Sequence, residues 1–233
     1  MKGLVKKERE QIFRLFTEHA KLKFNEIEKA LKIRSNMVSY HLEKMQQEDL
    51  LRKEGDYYSL TKKAERYLPI LPHIIGQELS PLPIVLAAVT NDDRILLMKR
   101  NNRPYQNYWS LVGGKMKLEE DFKEASKRLV KEKTNLDADY KGIAGILHER
   151  VEGEKIIKYS FILFFVKMET NDLNFEESSY GKLKWFKISE LEKEKVIPSD
   201  LWLIKNKLNS SVKAENAYMT ENKGELSNFQ ITL

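Results

Sequence analysis

Charged residues in the segment 114–136 are the part of this sequence best suited to chemistry. Glu120 and Glu132 offer carboxylate oxygens, the hard ligands that Mg²⁺ requires. Arg128 and Lys133 offer cations that can hold phosphate oxygens. The segment therefore combines groups that bind a divalent metal ion with groups that bind a phosphate.

A helix from about Glu119 to Thr134 is predicted to position these groups. At about 100° per residue, Leu129 falls within the apolar stripe of this helix. Glu132 and Lys133 flank the stripe on opposite sides. One carboxylate and one cation are thus expected to border the face that packs on the rest of the domain.

The spacing resembles the Nudix signature, which is a Gly, five residues, a Glu, seven residues and then Arg-Glu-apolar-x-Glu-Glu-x-Gly-apolar. Six of its nine defined positions match, namely Gly114, Glu120, Arg128, Val130, Glu132 and Leu136. The preceding NYWSLVGGKM is similar to the usual Trp-x-Leu-Pro-Gly-Gly approach, with Val112 in place of the proline. The resemblance covers about residues 83–208 and implies a mixed sheet packed between helices.

The resemblance also implies a chemistry that this chain has altered. Nudix enzymes use a divalent metal to cleave a diphosphate linked to another group. Their metal-binding glutamates fall on positions 129, 132 and 133, where this chain has Leu129, Glu132 and Lys133. The lysine would repel a divalent ion by several kcal/mol at about 4–6 Å. We predict weak or absent hydrolysis; if the chain is active, Glu132 and Glu120 are the candidate catalytic and metal-binding residues, and Mg²⁺ is the cofactor.

Other residues offer alternative sites. The acids that could rebuild a metal site, or could equally be ordinary surface residues, are Glu119, Glu124, Glu149, Glu152, Glu176 and Glu177. The residues predicted to bind a ligand without metal are Arg100, Arg103, Gly114, Lys115, Arg128 and Lys133. Tyr105, Tyr108 and Trp109 could stack on a base or belong to the core.

The N-terminal third has a separate pattern. Three predicted helices precede two β-prone runs that flank Gly55, which suits a tight turn. This order, with SNMVSYHLEKMQQEDLLRKEGDYYSLTKKA, resembles the winged helix-turn-helix of arsenic-repressor-like regulators over about residues 6–70. The resemblance implies DNA binding, by base contacts and phosphate contacts. The residues expected to make them are Asn36, Ser39, Tyr40 and Lys44 on the third helix and Arg52 and Lys53 on the wing. A protein-interaction domain with a solvated helix is the alternative.

Length and composition suit a two-domain α+β protein. The 233 residues divide into a winged helix with a proline-rich connector (1–80), a Nudix-like domain (81–208) and a C-terminal extension (209–233), a hairpin or a loose tail. Residues 1–79 carry 16 Lys and Arg against 12 Asp and Glu, and residues 80–233 carry 25 against 23. The absence of cysteine excludes disulfides and thiolate metal sites. Short apolar runs predict a cytoplasmic protein without a membrane span.

These features predict a transcriptional regulator whose partners are double-stranded DNA and a nucleotide-type small molecule, such as an ADP-ribose-like compound or a nucleotide sugar. The chain resembles the Nudix-related regulators of NAD metabolism, although here the winged helix comes first. A homodimer is expected because most such regulators read two half-sites. The alternatives are a Mg²⁺-dependent Nudix hydrolase of nucleoside-diphosphate-linked substrates with an atypical metal site, and a non-catalytic scaffold.

Overall fold

The computed structural model describes residues 6–71, 79–222 and 225–232. The chain forms two compact units, Met1–Ser80 and Pro81–Leu233. Much of the predicted proline-rich connector, residues 72–78, lies outside the described residues. No helix within the described ranges is long and apolar enough to cross a membrane.

The first unit has four helices and a small sheet among its described residues. Its elements in chain order are α1 (Lys7–Glu18), β1 (Leu22–Lys23), α2 (Phe24–Leu31), α3 (Ser35–Gln47), β2 (Leu51–Glu54), β3 (Tyr57–Leu60) and α4 (Lys62–Glu65). The strands are antiparallel in the order β1-β3-β2. Gly55 turns between β2 and β3 with a φ of 59°, as its position in the sequence predicts.

Helical spacing of apolar residues explains the core of this unit. Ile12 and Phe13 on α1, Ile27 on α2, and Leu42 and Met45 on α3 are at most 1% exposed. The sequence also predicts a further helix, roughly Lys62–Leu68, that ends at Pro69, and the predicted end is wrong. The helix stops at Glu65, and Leu68–Ile70 forms a separate 3₁₀ turn that contains Pro69, because proline cannot donate the backbone hydrogen bond that an α-helix needs.

The second unit is built around one mixed sheet. Its elements are β4 (Leu82–Asn91), β5 (Arg94–Arg100), β6 (Trp109–Ser110), β7 (Val112–Gly114), α5 (Phe122–Thr134), β8 (Asp139–Gly153), β9 (Ile156–Glu169), β10 (Gly181–Lys187), α6 (Pro198–Lys207), β11 (Asn216–Asn222) and β12 (Glu225–Thr232). The seven-stranded sheet runs β10-β5-β4-β9-β8, with β6 beside β5 and β7 beside β4. Strands β4 and β9 are parallel, and the other neighbours are antiparallel.

The sheet lies between two helices, as the sequence predicts. Strand β4 is apolar on both faces because each face is covered. Val85 and Ala87 pack in one core with Ala125 and Leu129 of α5. Alternate residues of β4, such as Leu86, pack in a second core with α6.

Two local predictions around α5 are wrong. The helix begins at Phe122 instead of Glu119, because Asp121 and Glu124 form a reciprocal capping box. The sequence also predicts a Gly-Gly turn before the helix, but Gly113 and Gly114 belong to strand β7. A Cβ atom on Gly113 would lie 2.5 Å from the Val85 carbonyl oxygen, so glycine is required for the close approach of β7 to β4.

Of the two alternatives for the C-terminal extension, the hairpin is observed. The Val212 amide donates to the Ile143 carbonyl oxygen at 2.8 Å, which joins the segment after α6 to strand β8. Strands β11 and β12 then pair with each other. Their large apolar side chains are solvent-exposed; Leu226 and Phe229, for example, are 69% and 63% exposed.

Candidate ligand-binding site

A cavity of about 420 Å³ lies in the second unit, within the range typical of small-molecule sites. Its apolar wall comes from β4 and β9, with Ile84, Leu86 and Phe161 among the lining residues. The polar lining residues comprise the cations Arg100, Lys115 and Lys133, the acids Glu149 and Asp200, and the hydroxyl groups of Tyr105, Ser110 and Tyr159. This lining suits a ligand that combines an apolar body with anionic and hydrogen-bonding groups.

Lys133 projects from α5 into this cavity. Its ammonium group donates to the Gly113 carbonyl oxygen on β7 and lies 4.8 Å from the centroid of the Tyr180 ring. Burial lowers the pKa of Lys133, as does the positive charge of Arg100, whereas Glu132 raises it. The residue at the predicted metal-ligand position is therefore a partly buried cation held against the sheet.

Arg100 brings a second cation to the cavity from the end of β5. Its Nε donates to the Pro104 carbonyl oxygen at 2.8 Å. This hydrogen bond uses one of the five N–H donors of the guanidinium group. Lys115 follows β7 and is exposed at the rim. The structure thus places four members of the predicted ligand set, Arg100, Gly114, Lys115 and Lys133, around one cavity.

Asp200 is a functional candidate that the sequence did not predict. It is 3% exposed, and its Oδ2 accepts a hydrogen bond of 2.8 Å from the Leu111 amide. Burial raises the pKa of Asp200 to about 7, and the nearby Glu149 adds to the rise. An acid in the first turn of a helix is typical of a favourable dipole contact, so the burial of Asp200 in a cavity leaves no sequence signal.

Glu149 and Tyr105 form a second polar pair in the lining. The Tyr105 hydroxyl donates to Glu149 Oε1 at 2.6 Å, and burial raises the pKa of Tyr105. Of the three aromatic residues considered from the sequence, Tyr105 lines the cavity. Trp109 packs against Phe186 with ring centroids 4.9 Å apart, as a core residue does, and Tyr108 lies under the Lys195 ammonium at 4.4 Å.

Arg128, Glu120 and Glu132 form an ion-pair network outside the cavity lining. Arg128 donates through Nε and Nη2 to the two Glu120 oxygens, and through Nη1 to Glu132 Oε2 at 3.1 Å. Its Nη2 also donates to the Lys115 carbonyl oxygen at 3.1 Å. The hydrogen bond from Arg128 lowers the pKa of Glu120 to about 2. This network ties the segment before α5 to the helix.

Arg103 was also predicted to bind the ligand. It is exposed and does not line the cavity.

The side chains at the box positions do not fit a Mg²⁺ ion. Leu129 is 3% exposed in the core, and Lys133 is cationic. Glu120 is engaged by Arg128, and Glu132 by Arg128 and Lys117. In residues 6–71, 79–222 and 225–232 there is no group of three or more His, Cys, Asp or Glu side chains arranged to bind a metal.

Three of the other acids considered for a metal site have structural partners. Glu124 caps α5, Glu176 accepts from the Asn135 side chain at 2.9 Å, and Glu177 accepts from the Leu183 amide at 3.1 Å. Asn135 itself ends α5 in the left-handed conformation, with a φ of 57°. It therefore performs the role of the glycine that the signature places there.

The first unit presents the predicted DNA-contacting residues on α3 and β2. Asn36, Tyr40, Arg52 and Lys53 are exposed, and Ser39 and Lys44 are partly exposed. Lys44 donates to Gln47 at 2.8 Å, and Arg52 donates to the Ser59 hydroxyl at 3.0 Å. His41 on the same helix is 1% exposed and packs within the unit.

Two further basic residues reach this sheet, and the sequence did not predict them. The ammonium groups of Lys21 and Lys23 lie 4.8 and 5.1 Å from the centroid of the Tyr57 ring. They are brought there by β1, a two-residue strand that pairs with β3. So short a strand has no periodicity that a sequence pattern could reveal.

The mixed sheet between two helices and the modified box define a Nudix fold. Residues 81–205 match the family model of the NUDIX domain, and the chain belongs to the Nudix family. It is 27% identical over 123 residues to an uncharacterised Nudix hydrolase, YvcI, of Bacillus subtilis (strain 168), which covers 49% of this chain and 75% of that protein. It is 33% identical over 87 residues to the ADP-ribose pyrophosphatase of Methanocaldococcus jannaschii, which covers 36% of this chain and 52% of that protein.

Solved structures with a similar fold include the MutT protein of Bacillus halodurans, with 24% identity, a TM-score of 0.48 and coverage of 64% of this chain and 96% of that one. Another is the NUDIX domain of Shewanella oneidensis NrtR in complex with ADP ribose, with 17% identity, a TM-score of 0.48 and coverage of 56% and 88%.

Proposed function

We propose that this protein is a DNA-binding transcriptional regulator in which the Nudix domain binds a nucleotide-type metabolite without hydrolysing it. The observation that carries the proposal is the cation at position 133. Lys133 lines the cavity at a place where the family signature has a metal-binding glutamate. The chain has a cavity beside the box, but it lacks two of the three carboxylates that the family signature places at the metal-binding positions.

The lining of the cavity supports a nucleotide-type ligand such as an ADP-ribose-like compound or a nucleotide sugar. Arg100 and Lys133 suit phosphate oxygens, since both can form charge-assisted hydrogen bonds. Tyr105 and Phe161 offer aromatic surface, and Asp200 offers a polar group for hydroxyl or amino substituents. A relative that is 33% identical over 87 residues is named an ADP-ribose pyrophosphatase, which agrees with this ligand class.

The arrangement of the first unit supports DNA as the second partner. Helix α3 and the β2-β3 turn follow the order of a winged helix-turn-helix. The α3 side chains Asn36 and Tyr40 are exposed and polar at their tips, which suits base edges in the major groove. Arg52 and Lys53 on β2 suit phosphates. We also propose that the protein is a homodimer. Light scattering of the purified chain measures its oligomeric state directly.

Fluorescence anisotropy with the full chain tests the proposal. Labelled duplexes would be tiled across the DNA upstream of the chain's own gene, with shuffled duplexes of equal length as the control, over a series of salt concentrations. We expect preferential binding to one upstream duplex, a linear fall of log affinity with log salt, and a change in affinity when ADP-ribose or a nucleotide sugar is added. Equal binding to upstream and shuffled duplexes, with no response to these compounds, would refute the regulator.

A weak hydrolase is the second candidate, favoured by the retained Glu132, which is exposed and lies on α5. It requires Mg²⁺-dependent release of phosphate or nucleoside monophosphate from ADP-ribose, nucleoside triphosphates or nucleotide sugars. Release that disappears in Glu132→Gln would support this function. Absence of release at high protein concentration, alongside binding of the same compounds, would leave the regulator as the better account.

A further inference from the structure

The position of Lys133 is fixed from two sides. Its ammonium group donates to the Gly113 carbonyl oxygen, and the Tyr180 ring centroid lies 4.8 Å from it. One of the three ammonium donors is used by Gly113, which leaves the group capable of further hydrogen bonds. Because the stem is partly buried along α5, the charge is presented at a defined point of the cavity lining.

A second cation shares this part of the cavity. Arg100 also lines it, from the end of β5. Glu132, the acid next to Lys133 in the sequence, is exposed and pairs with Arg128 and Lys117. Two like charges held near each other in a partly buried site repel, and an anion between them would relieve the repulsion.

We infer that Lys133 takes the place of the divalent ion, so that the cavity binds diphosphate-containing ligands without any metal. Lys133 and Arg100 would hold phosphate oxygens, with Lys115 at the rim. A divalent ion would in addition compete with these cations for the ligand and be repelled by them. This inference rests on the nucleotide-type ligand of the proposed function, and it adds the absence of a metal requirement and the residue responsible.

Isothermal titration calorimetry with the full chain tests the inference, with ADP-ribose and inorganic pyrophosphate as probes. Each titration would be run in EDTA and again in excess Mg²⁺. We expect binding in EDTA that Mg²⁺ does not strengthen. Binding that requires Mg²⁺, or no binding of either probe under both conditions, would overturn the inference.

Three variants identify the residue responsible. Lys133→Gln should weaken binding in EDTA about tenfold or more, since it removes a charge-assisted contact. Lys133→Glu should lose binding in EDTA altogether. Lys131→Gln is the matched control, because Lys131 lies on the same helix but donates to Asp137 at 2.9 Å outside the cavity lining; its binding should be unchanged. Thermal unfolding would establish that each variant is folded, and equal affinities of wild type and a folded Lys133→Gln would overturn the assignment.

Failure of this inference can be told apart from failure of the proposed function. Metal-free binding of ADP-ribose by a chain that does not bind DNA would support the inference and refute the proposed regulatory function. DNA binding that responds to ADP-ribose only when Mg²⁺ is present would refute the inference and support the regulator.

Discussion

Gly114 and Leu129 are packed so closely that a Cβ atom on Gly114 would lie 2.6 Å from Leu129 Cδ2. Both residues occupy positions of the family box, and Leu129 stands where the family signature has a metal-binding glutamate. The leucine contributes to the core that α5 shares with β4. One of the two lost carboxylates has therefore been replaced by packing, and the other by the charge of Lys133.

The first prediction concerns this contact. Gly114→Ala should lower the free energy of unfolding by about 1 kcal/mol, at the low end of overpacking effects because the Leu129 side chain can shift. Urea unfolding measures the change. In the Leu129→Ala background the added methyl group has room, so the two substitutions should be less than additive. Additive changes in the free energy of unfolding would show that the close contact does not affect stability.

The second prediction concerns pH. Burial holds the pKa of Asp200 near 7 in the native protein, above its value of about 4 in the unfolded chain. The native state keeps this proton longer, so the contribution of Asp200 makes stability fall as pH rises from about 4 to 7. Ionised Asp200 should cost the native state several kcal/mol above pH 7.

Asp200→Asn isolates that effect, because an asparagine oxygen can still accept from the Leu111 amide. Its unfolding free energy should exceed that of the wild type at pH 8, and the difference should shrink toward pH 4. Denaturant unfolding across this range measures both proteins. A variant with the same pH profile as the wild type would contradict the assigned titration.

The third prediction concerns the ion-pair network of Arg128. Glu120→Gln should lower the free energy of unfolding by about 1–3 kcal/mol at pH 7, since a hydrogen-bonded carboxylate is lost from a guanidinium that is largely buried. Arg128→Gln should cost more because it leaves both Glu120 and Glu132 without this partner. Chemical denaturation of the double variant should reveal a coupling energy; independent effects would argue against a shared network.

The fourth prediction separates two kinds of DNA contact. Replacement of Arg52 and Lys53 by alanine should weaken binding to all duplexes and reduce the salt slope by about 1 for each lost phosphate contact. Asn36→Ala should instead reduce discrimination between upstream and shuffled duplexes at an unchanged slope. Anisotropy over a salt series distinguishes these outcomes. The reverse pattern would mean that α3 and β2 exchange the roles assigned to them.

Lys21 and Lys23 extend the same prediction. Both lie against the Tyr57 ring on the sheet that carries Arg52 and Lys53. Their joint replacement by alanine should also lower the salt slope, without a change in sequence preference. Joint replacement of Lys7 on α1 and Lys29 on α2 by alanine removes the same charge outside this sheet, and an equal effect there would indicate general attraction to DNA.

The sequence predicted most helices and strands because apolar spacing reports burial directly. Ile12, Phe13 and Met45 lie inside where their helical spacing puts them, and the alternate cores on β4 follow from a strand that is apolar on both faces. The predicted start of α5 was too early, because the capping box formed by Asp121 and Glu124 makes Phe122 the first residue of the helix. Gly113 was assigned to a turn because its role depends on Val85, which is distant in sequence.

The site was predictable only in part for the same reason. Lys133 was identified because its position in the box is fixed by neighbours on one helix. Asp200 was missed because its burial, and its hydrogen bond from Leu111, arise from a contact between residues 89 positions apart. Arg128 and Lys133 look alike in sequence, yet Arg128 is occupied by Glu120 and Lys133 faces the cavity. Charge alone therefore does not separate a structural ion pair from a ligand contact.

The burial of Leu129 has a consequence for the history of this site. A change of Leu129 to Glu would place a carboxylate in an apolar core, against the backbone of Gly114. A change of Lys133 to Glu would remove the cation while leaving the metal ligands incomplete. Neither substitution alone restores the carboxylates of the family signature, and the first also strains the core. At least two coupled changes therefore separate this box from that signature.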